Sequence, residues 1–469
     1  MPDVAMHRRT SVCPSADGLD LLVGPEAPIW GLAYGLRQCP QARLIPADAD
    51  ALEAALDALP TQSVAAVVEG AALGSAVSAL LIESLEQFGA DDGLEDDAPV
   101  IRMVNAILTE AVARGASDVH FEPYESEAMV RLRIDGVLVD LVSPPRTVYA
   151  ALISRIKVMA QLDIAERRLP QDGRMTIRLP ANNVDLRVST LPTAHGERAV
   201  LRLLQKTAGH VRLEGLGMSQ AVQGQFEALL ARPNGIVLVT GPTGSGKTTT
   251  LYAALSWLST RRENIMTVED PVEYEMPGIS QTPVAPKIGL TFASALRAIL
   301  RQDPDILMIG EIRDIETAQI AVQAALTGHL VLATLHTNDA ASAVTRLLDM
   351  GVEPFLLSST LHGVLGQRLV RQLCASCKRG TPGGLFEPAA QGCPQCNATG
   401  YRGRLGVYEL MVVTPEIQSA IKQGEDAPEI RRLALQAGLV EMAQDAHRWL
   451  AAGQTSEQEV ARVVMLGAE

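Results

Sequence analysis

Between residues 213 and 373, short apolar runs alternate with stretches whose apolar positions recur every three or four residues. The runs are 235–240, 264–268, 305–310 and 330–335, and the periodic stretches between them read as helices. A strand that is apolar throughout, instead of at every second position, is buried on both faces. The rhythm therefore predicts an α/β domain built on a parallel sheet with helices on both sides.

Upstream, 98–212 has a mixed α+β pattern. A helix is predicted over 100–113. Residues 129–134 then alternate apolar positions with Arg131 and Arg133, Asp135-Gly136 makes a turn, and 137–142 resumes the alternation. An Asp-Gly between two such runs is a strong hairpin signal. A helix over 148–161 and strands over 185–190 and 198–204 follow. Residues 1–90 are rich in Ala and Leu, with helical spacing at 51–59 and a strand signal at 63–68. The most apolar stretch, 64–82, is broken by Glu69 and reads as a buried helix. Residues 91–97 hold five acids and one Gly, which cannot bury much, so they are expected to form a linker. The same carboxylates suit the N-terminus of the helix that follows. Beyond 373 lie a cysteine element, 374–396, and a C-terminal region, 397–469, helical by spacing from Pro415.

Composition narrows this picture. Of 469 residues 47% are hydrophobic but only 3% aromatic, so the core must be aliphatic. A net charge of −14 argues against general nucleic-acid binding, whose affinity comes from neutralising phosphates. No run of about 18 uninterrupted apolar residues occurs, and no apolar signal core follows the N-terminus. The expected location is cytoplasmic.

The run 235–240 leads straight into Gly241, Pro242, Thr243, Gly244, Ser245, Gly246, Lys247 and Thr248, and Thr249 opens a helical stretch. This is G-x-x-x-x-G-K-T in the strand–loop–helix context that gives the motif its meaning. Backbone N–H groups of such a loop close on the β-phosphate of ATP. Lys247 reaches the β- and γ-phosphates, and the Thr248 hydroxyl is a ligand for Mg²⁺.

Three other strands end in polar residues: Glu269 after 264–268, Glu311 after 305–310, His336 after 330–335. Ligands of an open parallel sheet lie at the carboxyl ends of its strands, so Lys247, Glu269, Glu311 and His336 should share one edge. One carboxylate is expected in the metal shell and one as general base. Glu269 is the first choice for base, although the sequence cannot order the two. His336 is a candidate sensor of nucleotide.

The six cysteines include two C-x-x-C pairs, Cys374/Cys377 and Cys393/Cys396, with 15 residues between them. That spacing matches a tetrathiolate zinc site, and four ligands leave no open position, so the metal would be structural. Cys13 and Cys39 carry no functional signal.

At these boxes the chain resembles the secretion ATPase superfamily, the hexameric motors of type II secretion, type IV pili and DNA uptake. T-V-E-D-P-V-E-Y (267–274) is similar to the family's aspartate box, D-P-D-I-L-M-I-G-E-I-R-D (303–314) to its variant Walker B, and T-G-H-L-V-L-A-T-L-H-T-N-D (327–339) to its histidine box. S-D-V-H-F-E-P (117–123), R-L-P-Q-D-G-R (168–174) and R-V-S-T-L-P-T-A-H-G-E-R (187–198) also match. Segment 337–355 and the cysteines look most like the type II secretion motors. Pilus-assembly motors are the close alternative, and a zinc-ribbon nucleic-acid translocase a distant one. The resemblance implies a homo-hexameric ATPase driving pseudopilus assembly, with arginines of the second domain, Arg187 and Arg202, reaching the γ-phosphate. Arg297, Arg301 and Arg313 are expected to bridge domains or subunits. The resemblance further implies that residues 1–90 dock a membrane-anchored partner and that the cysteine element meets an inner-membrane platform protein. The motor would thus be peripheral on the inner membrane.

Overall fold

A computed structural model describes residues 98–178, 183–204, 212–259, 263–381 and 383–464, together with three short strands nearer the N-terminus. Those strands are β1 (Val12–Pro14), β2 (Asp20–Val23) and β3 (Arg43–Pro46). The readings at 51–59, 63–68, 64–82 and 91–97 lie outside the described residues, as do Cys39 and the side chain of Cys13. Two compact units divide the chain: Met1–Glu110 with Glu127–Met129 and Leu141–Arg155, and Ala111–Ser126 with Val130–Asp140 and Ile156–Glu469.

The second region runs α1 (Ala98–Ala113), β4 (Asp118–Pro123), β5 (Ala128–Ile134), β6 (Val137–Val142), α2 (Arg146–Met159), β7 (Gln171–Arg178), β8 (Asn183–Thr193) and β9 (Gly196–Leu204). Its sheet has the order β6-β5-β4-β9-β8-β7. The predicted hairpin is β5–β6, and Asp135 and Gly136 at its turn both have positive φ, +47° and +83°. Two strands went unread in the sequence. β7 buries only Met175 and Ile177. β4 hides Asp118, His120 and Glu122 alongside Val119 and Phe121, so its polar half masked its burial.

The third region runs α3 (Gln220–Leu230), β10 (Gly235–Thr240), α4 (Lys247–Leu258), β11 (Ile265–Glu269), β12 (Ser280–Pro283), α5 (Phe292–Ile299), β13 (Ile306–Ile309), α6 (Ile315–Leu326), β14 (Leu330–Leu335), α7 (Ala340–Asp349), α8 (Pro354–Thr360) and β15 (Leu361–Leu373). The cysteine element holds β16 (Arg379–Gly380) and β17 (Phe386–Glu387). Beyond it lie β18 (Tyr401–Val412), α9 (Pro415–Gln423), α10 (Ala427–Gln436), α11 (Met442–Ala451) and α12 (Glu457–Val464). Residues 401–412, expected within a helical region, are therefore a strand. They pair antiparallel with β15 and close one edge of the sheet. Glycines at 403 and 406 and arginines at 402 and 404 hid the alternation that buries Tyr408 and Leu410 on one face and Met411 on the other.

The large sheet has the order β12-β11-β13-β14-β10-β15-β18, and every pairing but the last is parallel. Its central strands β13, β14 and β10 are buried along their whole length, as their largely apolar runs require. Ile236 and Leu238 of β10 join one apolar layer, with α5, α6 and α7. Val237 and Val239 join the other, with α3 and α4. β14 lies between β10 and β13, which fixes what stands between the residues at their carboxyl ends.

Candidate nucleotide and metal sites

The phosphate loop needs its glycines for space as much as for backbone freedom. Gly241, Gly244 and Gly246 have φ of +149°, +81° and +89°. A Cβ on Gly241 would stand 2.3 Å from the Gln367 carbonyl oxygen, and one on Gly246 2.8 Å from Gln367 Nε2. β15 therefore backs the loop, and the Thr250 hydroxyl donates to Gln367 Oε1 at 2.7 Å. Pro242, Thr243, Gly244, Thr248 and Thr249 are exposed, whereas Ser245 is buried. Ser245 Oγ has no hydrogen-bond partner among the described residues. A buried polar atom left so is costly unless something else meets it. Lys247 Nζ donates to the carbonyls of Gly241 and Pro242 at 2.8 and 3.1 Å, curling its charge back into the loop. Burial lowers its pKa to about 8, against the opposing pull of Glu311. An exposed hydroxyl, an orphaned one and a half-desolvated ammonium around one loop fit a phosphate chain with its magnesium.

Glu311 is the carboxylate that acts on Lys247. It is paired with the Arg313 guanidinium, and His336 Nε2 lies 3.6 Å from its Oε2. Arg313 also reaches Asp270 at 3.8 Å. Burial, then the charge on Lys247, hold His336 below its ordinary pKa, with Glu311 opposing. Two hydrogen bonds fix this geometry across strands. Thr334 Oγ1 donates to the Gly310 carbonyl at 2.5 Å, and the Ile312 N–H to the Thr334 carbonyl at 3.0 Å. Lys247, Glu311 and His336 are thus brought together as the strand order predicts.

Glu269 sits at the end of β11 in different company. It is buried, and its carboxylate accepts from the Tyr252 hydroxyl, from Thr267 Oγ1 at 2.5 Å and from Gln281 Nε2 at 3.2 Å. Nearby, burial raises the pKa of Glu273 while Arg202, Glu269 and Arg187 act on it electrostatically. Arg187 and Arg202 face each other across β8 and β9, and Arg174 faces Arg187 across β7. Arg174, Arg187 and Arg202 thus stand exposed in one row, although like charges directly opposed on a sheet cost stability. Arg202 Nε donates to Asp118 at 2.8 Å at the end of that row. Sequence reasoning passed over Arg174, although it closes a quoted motif, and passed over Tyr252, Gln281 and Gln367 entirely. Only Tyr252 carried a signal: it stands four residues beyond Thr248. Of the other arginines, Arg297 pairs with Glu316 at 2.5 Å within the chain, and Arg301 donates to the Arg297 carbonyl at 2.7 Å.

The four cysteines converge, with their sulfurs all within 4.8 Å of one another. Cys374–Cys393, Cys377–Cys396 and Cys393–Cys396 are 3.7, 3.8 and 3.7 Å apart. Four sulfurs held about 2.3 Å from a tetrahedral zinc stand about 3.8 Å apart, so the cluster fits that ion. Against the cost of burial, the N–H groups of Cys393 and Gly400 lower the Cys396 thiol to about 7. Gly392, with φ of +57°, leaves room for the knuckle, since a Cβ there would lie 2.4 Å from the Ala398 backbone.

No helix among the described residues is long and apolar enough to cross a membrane. Residues 93–462 match the family described as Type II/IV secretion system protein. The chain is 54% identical over 460 residues to type II secretion system protein HxcR of Pseudomonas aeruginosa, covering 98% of this chain and 97% of that one. It is 53% identical over 385 residues to type II secretion system ATPase E of Vibrio cholerae, covering 79% and 76%. Among solved structures, the Legionella pneumophila ATPase DotB superposes with a TM-score of 0.60 at 23% identity, over 81% of this chain and 98% of that one, a likeness of fold. The pilus retraction motor PilT with bound ADP superposes with a TM-score of 0.53 at 26% identity, covering 76% and 95%. With the phosphate loop, the glutamate-and-histidine edge and the four-cysteine cluster in one chain, this protein belongs to the type II/IV secretion ATPases.

Proposed function

We propose that this chain is the ATP-hydrolysing motor of a type II secretion system, a homo-hexamer that drives pseudopilus assembly and export of folded proteins across the outer membrane. The observation that carries this is the meeting of Lys247, Glu311 and His336 at one sheet edge, in a chain 54% identical to a type II secretion protein along nearly its whole length. Lys247 binds the β- and γ-phosphates, and the loop N–H groups hold the chain of phosphates in place. The exposed Thr248 hydroxyl and Glu311 would hold magnesium, which would supply positive charge against the phosphate oxygens. Glu269 takes the proton of the attacking water. His336, beside Glu311, reports whether the γ-phosphate is present. Arg187 and Arg202 stabilise charge as it moves onto the leaving phosphate.

The four cysteines hold a structural zinc, and their element faces an inner-membrane platform protein. Residues 1–90 dock a membrane-anchored partner, and the acidic 91–97 segment makes that docking separable from the ATPase of 98–469. The motor is peripheral on the inner membrane through these partners. The test is phosphate release by the purified chain as its concentration is varied. Activity per chain should rise with concentration as rings assemble, and Arg187→Ala and Arg202→Ala should each cut it by up to ~10³-fold, the lower end for an arginine acting on a γ-phosphate. Activity strictly proportional to concentration and equal in both variants counts against the ring and the arginine roles together.

A further inference from the structure

The helix behind the phosphate loop carries one large polar side chain that the roles above leave unused. Tyr252 is fully buried. It lies four residues after Thr248, on the same face of α4 and one turn further from the loop. Its ring meets Tyr274 edge-on, with centroids 4.6 Å apart. The hydroxyl touches Glu269 Oε2, the Glu273 backbone N–H at 3.3 Å and Gln281 Nε2 at 3.4 Å. The last two are donors only, so both approach the oxygen's lone pairs and the phenolic proton points to Glu269. The orientation follows by elimination.

The consequence concerns how Glu269 is held. A carboxylate has about four acceptor positions. Tyr252 takes one on Oε2, and Thr267 and Gln281 take two on Oε1. One is left for a proton of water. The groups around this carboxylate are Tyr252 from α4, Gln281 from β12, Thr267 of its own strand, and Glu273 and Tyr274 of the following loop. Arg187 and Arg202 act beyond Glu273. Only Tyr252 belongs to the element that also carries the phosphate loop.

We infer that Tyr252 is a positioning residue for hydrolysis: its hydroxyl locks the Glu269 carboxylate to the phosphate-loop helix. The inference rests on the reading of Glu269 as the group that takes the water proton. Burial, with the bond to Glu269, raises the pKa of Tyr252, so the phenol stays a donor throughout the working range.

The experiment is single-turnover hydrolysis by the full chain, followed as magnesium ATP is raised to saturation. Tyr252→Phe keeps the ring on Tyr274 and removes one oxygen. Its plateau rate should fall by about tenfold or more, as for a slightly misplaced base. Affinity for magnesium ATP should stay within about twofold, since a positioning residue acts on the chemical step. A lower plateau with a comparable loss of magnesium ATP affinity reports general loosening and overturns the inference. Glu269→Gln, measured alongside, separates the two readings. If that variant is inactive while Tyr252→Phe keeps the wild-type rate, the base reading stands and the role of Tyr252 falls. If Glu269→Gln hydrolyses at the wild-type rate, both fall.

Discussion

One strand joins the nucleotide edge to the cysteine element, for β15 backs the phosphate loop with Gln367 and ends at Leu373, the residue before Cys374. They are built in opposite ways. The edge gathers Lys247, Glu311 and His336 from the ends of three strands and keeps polar groups in reserve, among them Ser245 Oγ and the exposed Thr248 hydroxyl. The cysteine element draws all four ligands from one short stretch and turns them on each other, with backbone N–H groups donating to Cys396 Sγ at 3.1 and 3.2 Å. An open constellation can bind and release something at each turnover. A closed one can only hold what it has.

That contrast can be broken from either side. The largest effect belongs to Lys247→Ala, which should take phosphate release to background by leaving the phosphate charge uncompensated. Zinc content per chain should not change, and a parallel loss of zinc would show that the two sites are one unit. Next comes Cys393→Ser with Cys396→Ser. Structural zinc sites bind with apparent free energies of about 10–16 kcal/mol, so the parent should keep one zinc through dialysis and the double variant none. ATP affinity should survive, while hydrogen exchange over 374–396 should rise. Full titration of all four thiols in the native parent, with no zinc by elemental analysis, sinks the metal reading.

The smallest effect is on stability. Burial holds Lys247 near 8, below its ordinary 10.5, so between those values the unfolded chain binds the proton more tightly than the folded one. Stability of the nucleotide-free protein should therefore rise as pH climbs from about 8 toward 10.5. Lys247→Met should remove that rise and lift Tm at pH 7 while abolishing hydrolysis. A lower Tm at pH 7 in that variant would show that the two loop carbonyls stabilise the ammonium by more than its burial costs. The cysteine element should show no such conflict between stability and function, because a zinc held there would stabilise the fold it needs.

Legibility in the sequence followed the range of the interactions. The parallel sheet was readable because a strand buried on both faces is apolar almost throughout: β13 is so at every position, and β10 and β14 carry one threonine each, Thr240 and Thr334. The hairpin at Asp135-Gly136 was readable because its turn chemistry is local. β4 was not, since Asp118 and Glu122 are buried by ion pairs with Arg202, Arg198 and Arg131 that come from other strands. β18 was not, because its partner β15 lies across the whole cysteine element.

The sequence by itself determined the phosphate loop and the four-cysteine set. Both depend on backbone conformation and ligand spacing within a few dozen residues, which glycine and cysteine positions specify directly. It also determined that Glu269, Glu311 and His336 belong to one sheet edge. Tertiary structure alone decided their company: β14 between β10 and β13 sets His336 beside Glu311, and Tyr252 rather than Lys247 holds Glu269. Strand order and side-chain hydrogen bonds join residues far apart in the chain, and no local pattern of apolar and polar positions encodes which of them will meet.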